Sequence, residues 1–202
     1  MNRKIGMIGS LINALTVLGF AIFLLMGFKF GYFCICIFLS LSFICMIAAF
    51  DAECTEENKV AGKVAVILAA IYATYIMLVY FTQCTTVQNE SLSGDVLKIL
   101  DYSCFSLMFN IDLLGYGIMA LSTFFIGLTL NVKNKKDKAL KILLLVHGVF
   151  FLSCLIMPMT GMFAGSSGSG SGSNGGIMAL EVWCIYFLPI SILSWMHFKD
   201  NK

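Results

Sequence analysis

The sequence predicts an all-α protein, a polytopic transmembrane bundle of six helical spans with both termini in the cytoplasm. Three observations predict it. Hydrophobic residues make up 59% of the 202-residue chain and charged residues only 12%, with a mean hydropathy of +0.92, whereas a soluble domain carries roughly 25% charged residues. So few charges cannot cover the surface of a water-soluble chain of this size, and its solvent is therefore lipid. The apolar residues fall into six uninterrupted stretches, 5–28, 30–50, 64–84, 105–130, 142–163 and 177–197, each near the length of about 20 residues that crosses a bilayer as a helix. The basic residues alternate between sides. Eleven of the thirteen Lys and Arg residues fall at the ends of the chain and in the loops 51–63 and 131–141, and only Lys29 and Lys98 fall on the other side. Positive charge is retained in the cytoplasm during insertion, so those ends and loops are expected there, in a single integral domain of a bacterial plasma membrane.

Along the first span, Gly6, Gly9, Ser10, Asn13, Thr16 and Gly19 follow helical spacing. A stripe this small lets another helix approach closely, either in this chain or in a second subunit. The second span reads CICIFLSLSFICMIAAF and is apolar on both parities, which excludes the alternating pattern of a membrane β-barrel. Its cysteines, like the others within spans, are small packing residues. On the third span Tyr72, Tyr75 and Gln83 share a face with Tyr80 at its flank. The loop that follows is bounded by Cys84 and Cys104, the one pair positioned to form a disulfide in an oxidising compartment.

The fourth span carries Asp112, Tyr116, Met119 and Thr123 on one face. The lysine-rich loop after it is a topology signal first and an attractor of anionic lipid second. His147 lies on the fifth span, about six residues from the cytoplasmic end, and the sixth carries Glu181 near its outer end. Residues 165–176 between them contain only Gly, Ser and one Asn, the composition of a flexible coil; so clean a run matches an engineered replacement as well as a natural loop. Tyr32, Tyr80, Tyr102, Trp183 and Trp195 fall near the boundaries, as interfacial rings do.

Ionisable groups inside spans cost about 2.5–3.5 kcal/mol at the helix centre, which makes each a candidate site. Asp112 and Glu181 are expected to share the outer leaflet, with His147 well below them as a polar packing residue. If the two carboxyls met, like-charge repulsion would favour a shared proton or a bound cation. The leading expectation is thus a small carrier-like or ligand-binding protein with an outward-facing polar cavity. Asp112 and Glu181 would be its proton- or cation-sensitive groups, and Tyr72, Tyr75, Tyr80, Gln83 and Tyr116 its lining. Against this stands plain packing, since both carboxyls lie near helix N-termini that favour negative charge.

The competing class is a non-catalytic subunit or immunity-type protein acting through the first-span stripe or the lysine loop, as a homo- or hetero-oligomer; a lipid-modifying intramembrane enzyme ranks third. Motifs for an enzyme are missing: no nucleophile elbow, no phosphate loop, and only two histidines, on different helices. No metal site or cofactor is implied, and no motif or exposed basic domain suggests nucleic acid. The segments FNIDLLGYGIMALSTFFIGLTL and EVWCIYFLPISILSWMHF resemble small six-helix bacterial membrane proteins whose fourth span opens with an acidic residue followed by Leu-Gly-Tyr or Leu-Gly-Trp. That resemblance marks Asp112, Gly115 and Tyr116 as part of a pattern and implies no activity.

Overall fold

The protein is seen here as a computed structural model that describes residues 1–89, 91–105, 107–161 and 171–200, the side chains of Cys104 and of 171–179 excepted. Among the described residues eight α-helices follow one another: α1 (Asn2–Leu25), α2 (Lys29–Asp51), α3 (Lys59–Thr82), the short α4 (Gly94–Leu100), α5 (Leu107–Thr129), α6 (Lys135–His147), α7 (Phe150–Met159) and α8 (Ser171–Asp200). Among the described residues six segments are long and apolar enough to cross a membrane, with α6 and α7 together forming the fifth. No strand occurs among the described residues. Side chains such as Ile8, Leu15, Phe38, Ile67, Phe81 and Ile185 clad the outside, and burying that apolar surface in lipid holds the chain in the bilayer.

The helices close into a ring. α1 packs on α2 and α8, α2 on α3, α3 on α5, α5 on α6 and α7, and α6 on α8. The tight α1–α2 turn is made by Gly27, whose φ of +67° suits a residue without Cβ. The amides of Gly27 and Phe28 donate to Leu24 and Phe23 at 3.1 and 2.9 Å, satisfying carbonyls that the end of α1 leaves open.

The small stripe of α1 faces its own chain. A Cβ on Gly6 would meet Ala49 of α2 and Phe198 of α8, and one on Gly9 would meet Cys45 and the backbone of α2. Asn13 joins three helices: its amide donates to Leu39 O at 3.2 Å and Ser42 Oγ at 3.0 Å, and its carbonyl accepts from Ser191 Oγ of α8 at 2.8 Å. Ser10 is buried, Thr16 donates back to Asn13 O, and Gly19 abuts Ile35. Most of the stripe is thus packed within its own chain, with Gly19 half-buried.

The fifth and sixth spans differ from expectation. Instead of one helix over 142–163, α6 begins at Lys135 inside the basic loop, where Asn134 Oδ1 accepts from the Asp137 amide at 2.9 Å and caps the helix. The helix then breaks at Gly148, where a Cβ would lie 2.9 Å from Phe124 of α5; Gly permits that close approach but weakens the helix. Because α6 starts so early, His147 lies about 18 Å along it, at mid-depth and not near the basic end. Part of the Gly/Ser run is helical too, since α8 starts at Ser171: once a helix is nucleated, extension by a turn or two is cheap even for poor formers. Residues 165–170 lie outside the described residues.

Candidate functional site

A cavity of about 190 Å³ lies at the end of the bundle opposite the lysine-rich loops. Its walls are aromatic, from Phe20 of α1, Tyr32 of α2, Tyr80 of α3, Tyr102 and Phe105 of the turn before α5, and Phe109. Ring centroids 4.9–6.1 Å apart link Phe20 to Tyr32, Tyr80 to Tyr102, Tyr102 to Phe109, and Phe105 to Phe109, the spacing at which aromatic pairs attract. Its polar groups are few. Lys29, exposed at the start of α2, donates to Ser103 Oγ at 3.1 Å, and both line the cavity.

Three local devices present this wall. The carboxamide of Gln83 clamps the outer segment at two points, donating to Leu100 O at 2.8 Å and accepting from the Tyr102 amide at 3.0 Å. Asp101 Oδ1 accepts from the Ser103 amide at 2.8 Å, an Asx turn that reverses the chain. Phe105 then takes a left-handed backbone with φ of 51°, which is strained for a bulky side chain and turns its ring into the cavity.

Asp112 is fully buried behind this wall. Its Oδ2 accepts from the Tyr102 hydroxyl at 3.1 Å, the Tyr80 hydroxyl also interacts with the carboxyl, and Oδ1 has no partner among the described residues. Burial, and then the charge of Asp112, push the Tyr102 phenol well above its ordinary range, so Tyr102 remains a proton donor to the carboxyl. The cavity thus has a proton-bearing hydroxyl in its wall and a carboxyl one bond behind.

The other expected lining residues divide. Tyr80 lines the cavity, whereas Gln83 is consumed by backbone groups. Tyr72 and Tyr116 lie deeper in the core, rings 5.8 Å apart; the Tyr116 hydroxyl meets Cys36 Sγ at 4.0 Å, and Tyr72 OH has no partner among the described residues. Tyr75 packs half-buried against Gly115 at the α3–α5 contact. Glu181 is half-buried, with Oε1 enclosed and unpartnered among the described residues. It interacts electrostatically with Cys184, and among the described residues no interaction joins it to Asp112. The two carboxyls occupy separate surroundings and neither lines the cavity, because Asp112 points into the α3–α5 core while Leu180, and not Glu181, reaches the cavity from α8.

His147 is a satisfied packing residue. The Trp183 indole, which can only donate, points at His147 Nε2 at 3.3 Å; Nδ1 lies 2.7 Å from Thr123 Oγ1, whose own proton goes to Ala120 O at 2.8 Å. One neutral tautomer, protonated on Nδ1, completes this chain of bonds. Trp183 is accordingly buried and not interfacial. No group of metal-ligating residues forms among the described residues. The proposed Cys84–Cys104 pair falls on a side chain outside the described residues.

No family model, curated protein or solved structure matches the chain.

Two functional features are not evident from spacing and charge alone. Lys29 is one of two basic residues on the lysine-poor side, and an isolated lysine among Phe28, Phe30 and Tyr32 is the signal that could have found it. The second is a cluster at the lysine-rich end, where His197 Nδ1 meets Asp137 Oδ1 at 2.8 Å and Nε2 meets Glu53 Oε2 at 2.9 Å. Its members lie at the ends of three different elements, where no spacing rule brings them together. Beside it is a second cavity of about 160 Å³, lined by Glu53, Thr129, Asn131, Lys133 and His197.

Proposed function

We propose that this is a membrane ligand-binding protein whose site at the lysine-poor end takes a small, mainly apolar molecule bearing one anionic group. The observation that carries the reading is an aromatic-walled cavity with a single lysine on its lining. An apolar cavity of about 150 Å³ holds a benzene ring, so one of about 190 Å³ suits a body of that size. The anionic group would stay with Lys29 and Ser103, where a charge-assisted hydrogen bond is available, and the apolar body would lie against Tyr80, Tyr102 and Phe109. Asp112 is a positioning residue in this account. It acts through Tyr102 and does not touch the ligand.

Benzoate, titrated calorimetrically into protein in lipid nanodiscs, tests the reading, with benzyl alcohol as its uncharged counterpart. Saturable benzoate binding is expected; Lys29→Met should weaken benzoate about tenfold and leave benzyl alcohol unchanged, while the cavity-filling Leu24→Phe should remove both. Binding that does not saturate, or that Leu24→Phe leaves intact, would count against the site. A carrier is the second reading, favoured by cavities at both ends of the bundle with a packed centre between them. It requires uptake of labelled benzoate into proteoliposomes, blocked by Leu24→Phe.

A further inference from the structure

We propose that His197, Glu53 and Asp137 form a proton-operated latch in the wall of the cavity at the lysine-rich end. The latch stands on its own geometry and does not depend on the ligand at the opposite end. His197 sits near the end of α8, Glu53 in the turn after α2, and Asp137 in the first turn of α6. One imidazole therefore ties together three elements that otherwise pack mainly on other neighbours. Both ring nitrogens face carboxylates at hydrogen-bond distance, 2.8 and 2.9 Å. Carboxylates only accept, so a ring protonated on both nitrogens satisfies both, and a neutral ring can satisfy one.

The geometry decides which bond is lost. Asp137 is 1% exposed and is held independently, with its Oδ2 accepting from the Lys133 amide at 3.1 Å and its own amide bound to Asn134. Glu53 is 30% exposed, and His197 is the one hydrogen-bond partner of its carboxylate among the described residues. The ring itself is fixed between Phe50 and Phe198, each 5.4 Å away. A neutral His197 would keep Nδ1–H on Asp137 and turn a lone pair toward the Glu53 carboxylate. The two repel, Glu53 turns to water, and the cavity wall that Glu53 and His197 share opens.

The other charged groups near the ring have surroundings of their own. Asp51 of α2 pairs with Lys63 of α3, and Lys136 of α6 pairs with Asp200 of α8. Arg3 of α1 donates to Phe198 O, Lys199 lies over Trp195, and Lys133 faces the same cavity. Imidazole is the side chain whose ordinary titration falls near neutral pH, so His197 is the group assigned to switch.

The chain has only two histidines, so nitrogen-15 histidine labelling in nanodiscs gives two ring spectra that report protonation directly. Between about pH 5 and about pH 9, a range bracketing the ordinary imidazole value near 6.5, His197 should pass from a doubly protonated ring to a neutral Nδ1–H ring. Amide hydrogen exchange over residues 51–58, corrected for its intrinsic pH dependence, should quicken at least about tenfold in step with the ring. In Glu53→Gln the amide can donate to a neutral ring or accept from a charged one, so that segment should stay protected at every pH; unchanged His147 signals would show the fold intact. Exchange that fails to follow the His197 ring in the wild-type protein, or the same pH response in Glu53→Gln, would overturn the latch.

Discussion

Replacing Gly9 by Ala tests whether the stripe on α1 is an internal seam. The added Cβ would lie 2.8 Å from Cys45 Cβ, 3.1 Å from Met46 N and 3.2 Å from Ser42 O, about 0.6 Å short of an ordinary contact of 3.4 Å at the worst point. Two of the three atoms are backbone, so relief requires α1 and α2 to separate. One turn further along, the same separation would stretch the Asn13–Leu39 hydrogen bond from 3.2 Å beyond bonding range. Overpacking costs roughly 1–3 kcal/mol and each interhelical bond in a membrane about 0.6 kcal/mol, while Ala returns up to about 1 kcal/mol of helix propensity.

A net loss of about 1–3 kcal/mol is therefore expected, measured by reversible denaturant unfolding in mixed micelles. Gly19→Ala, which meets only the flexible tip of Ile35, should lose less than about 1 kcal/mol, and Gly94→Ala, with open space around it, should lose none. A Gly9→Ala protein as stable as wild type would refute the packing argument. A loss that appeared only on dilution would instead mean that the stripe joins two subunits.

Gln83→Ala should release both points of the clamp on the segment before α5 and cost about 1–3 kcal/mol, read in the same unfolding assay and as faster amide exchange at Tyr102. Trp183→Phe leaves His147 Nε2 buried without its donor and should destabilise by about 1–3 kcal/mol, with the His147 ring spectrum moving away from a fixed Nδ1–H tautomer. Burial pushes the Cys54 thiol above its ordinary value of 9.0, an effect that the Thr129 side chain only partly offsets. Because the thiolate is the reactive form, maleimide labelling of Cys54 should be slow near pH 7 and rise steeply only above about 9, as followed by peptide mass spectrometry.

The spans were legible because their residues are apolar whichever way a helix turns, so no register had to be guessed. Gly6, Gly9 and Asn13 announced a close helix contact for the same reason, though not which helices would supply it. The break at Gly148 was not legible: Gly is common in membrane helices, and only the ring of Phe124 on another helix gives this one its role. Asp112 stands out because a buried carboxyl is expensive, but no spacing within its span names its partner. Helical spacing orders residues within one span, whereas Tyr102 reaches Asp112 from a turn whose shape depends on Gln83, Asp101 and Phe105 together. Glu53, Asp137 and His197 escaped notice for a related reason, since charge at the end of a span reads as topology until three such ends meet.

The most direct test of the binding site is an experimental structure of the protein with para-iodobenzoate, whose iodine marks its own position. The account predicts iodine density inside the aromatic walls among Tyr80, Tyr102 and Phe109, with the carboxylate toward Lys29. Iodine found elsewhere, or a lipid chain in that cavity that the iodobenzoate does not displace, would contradict it.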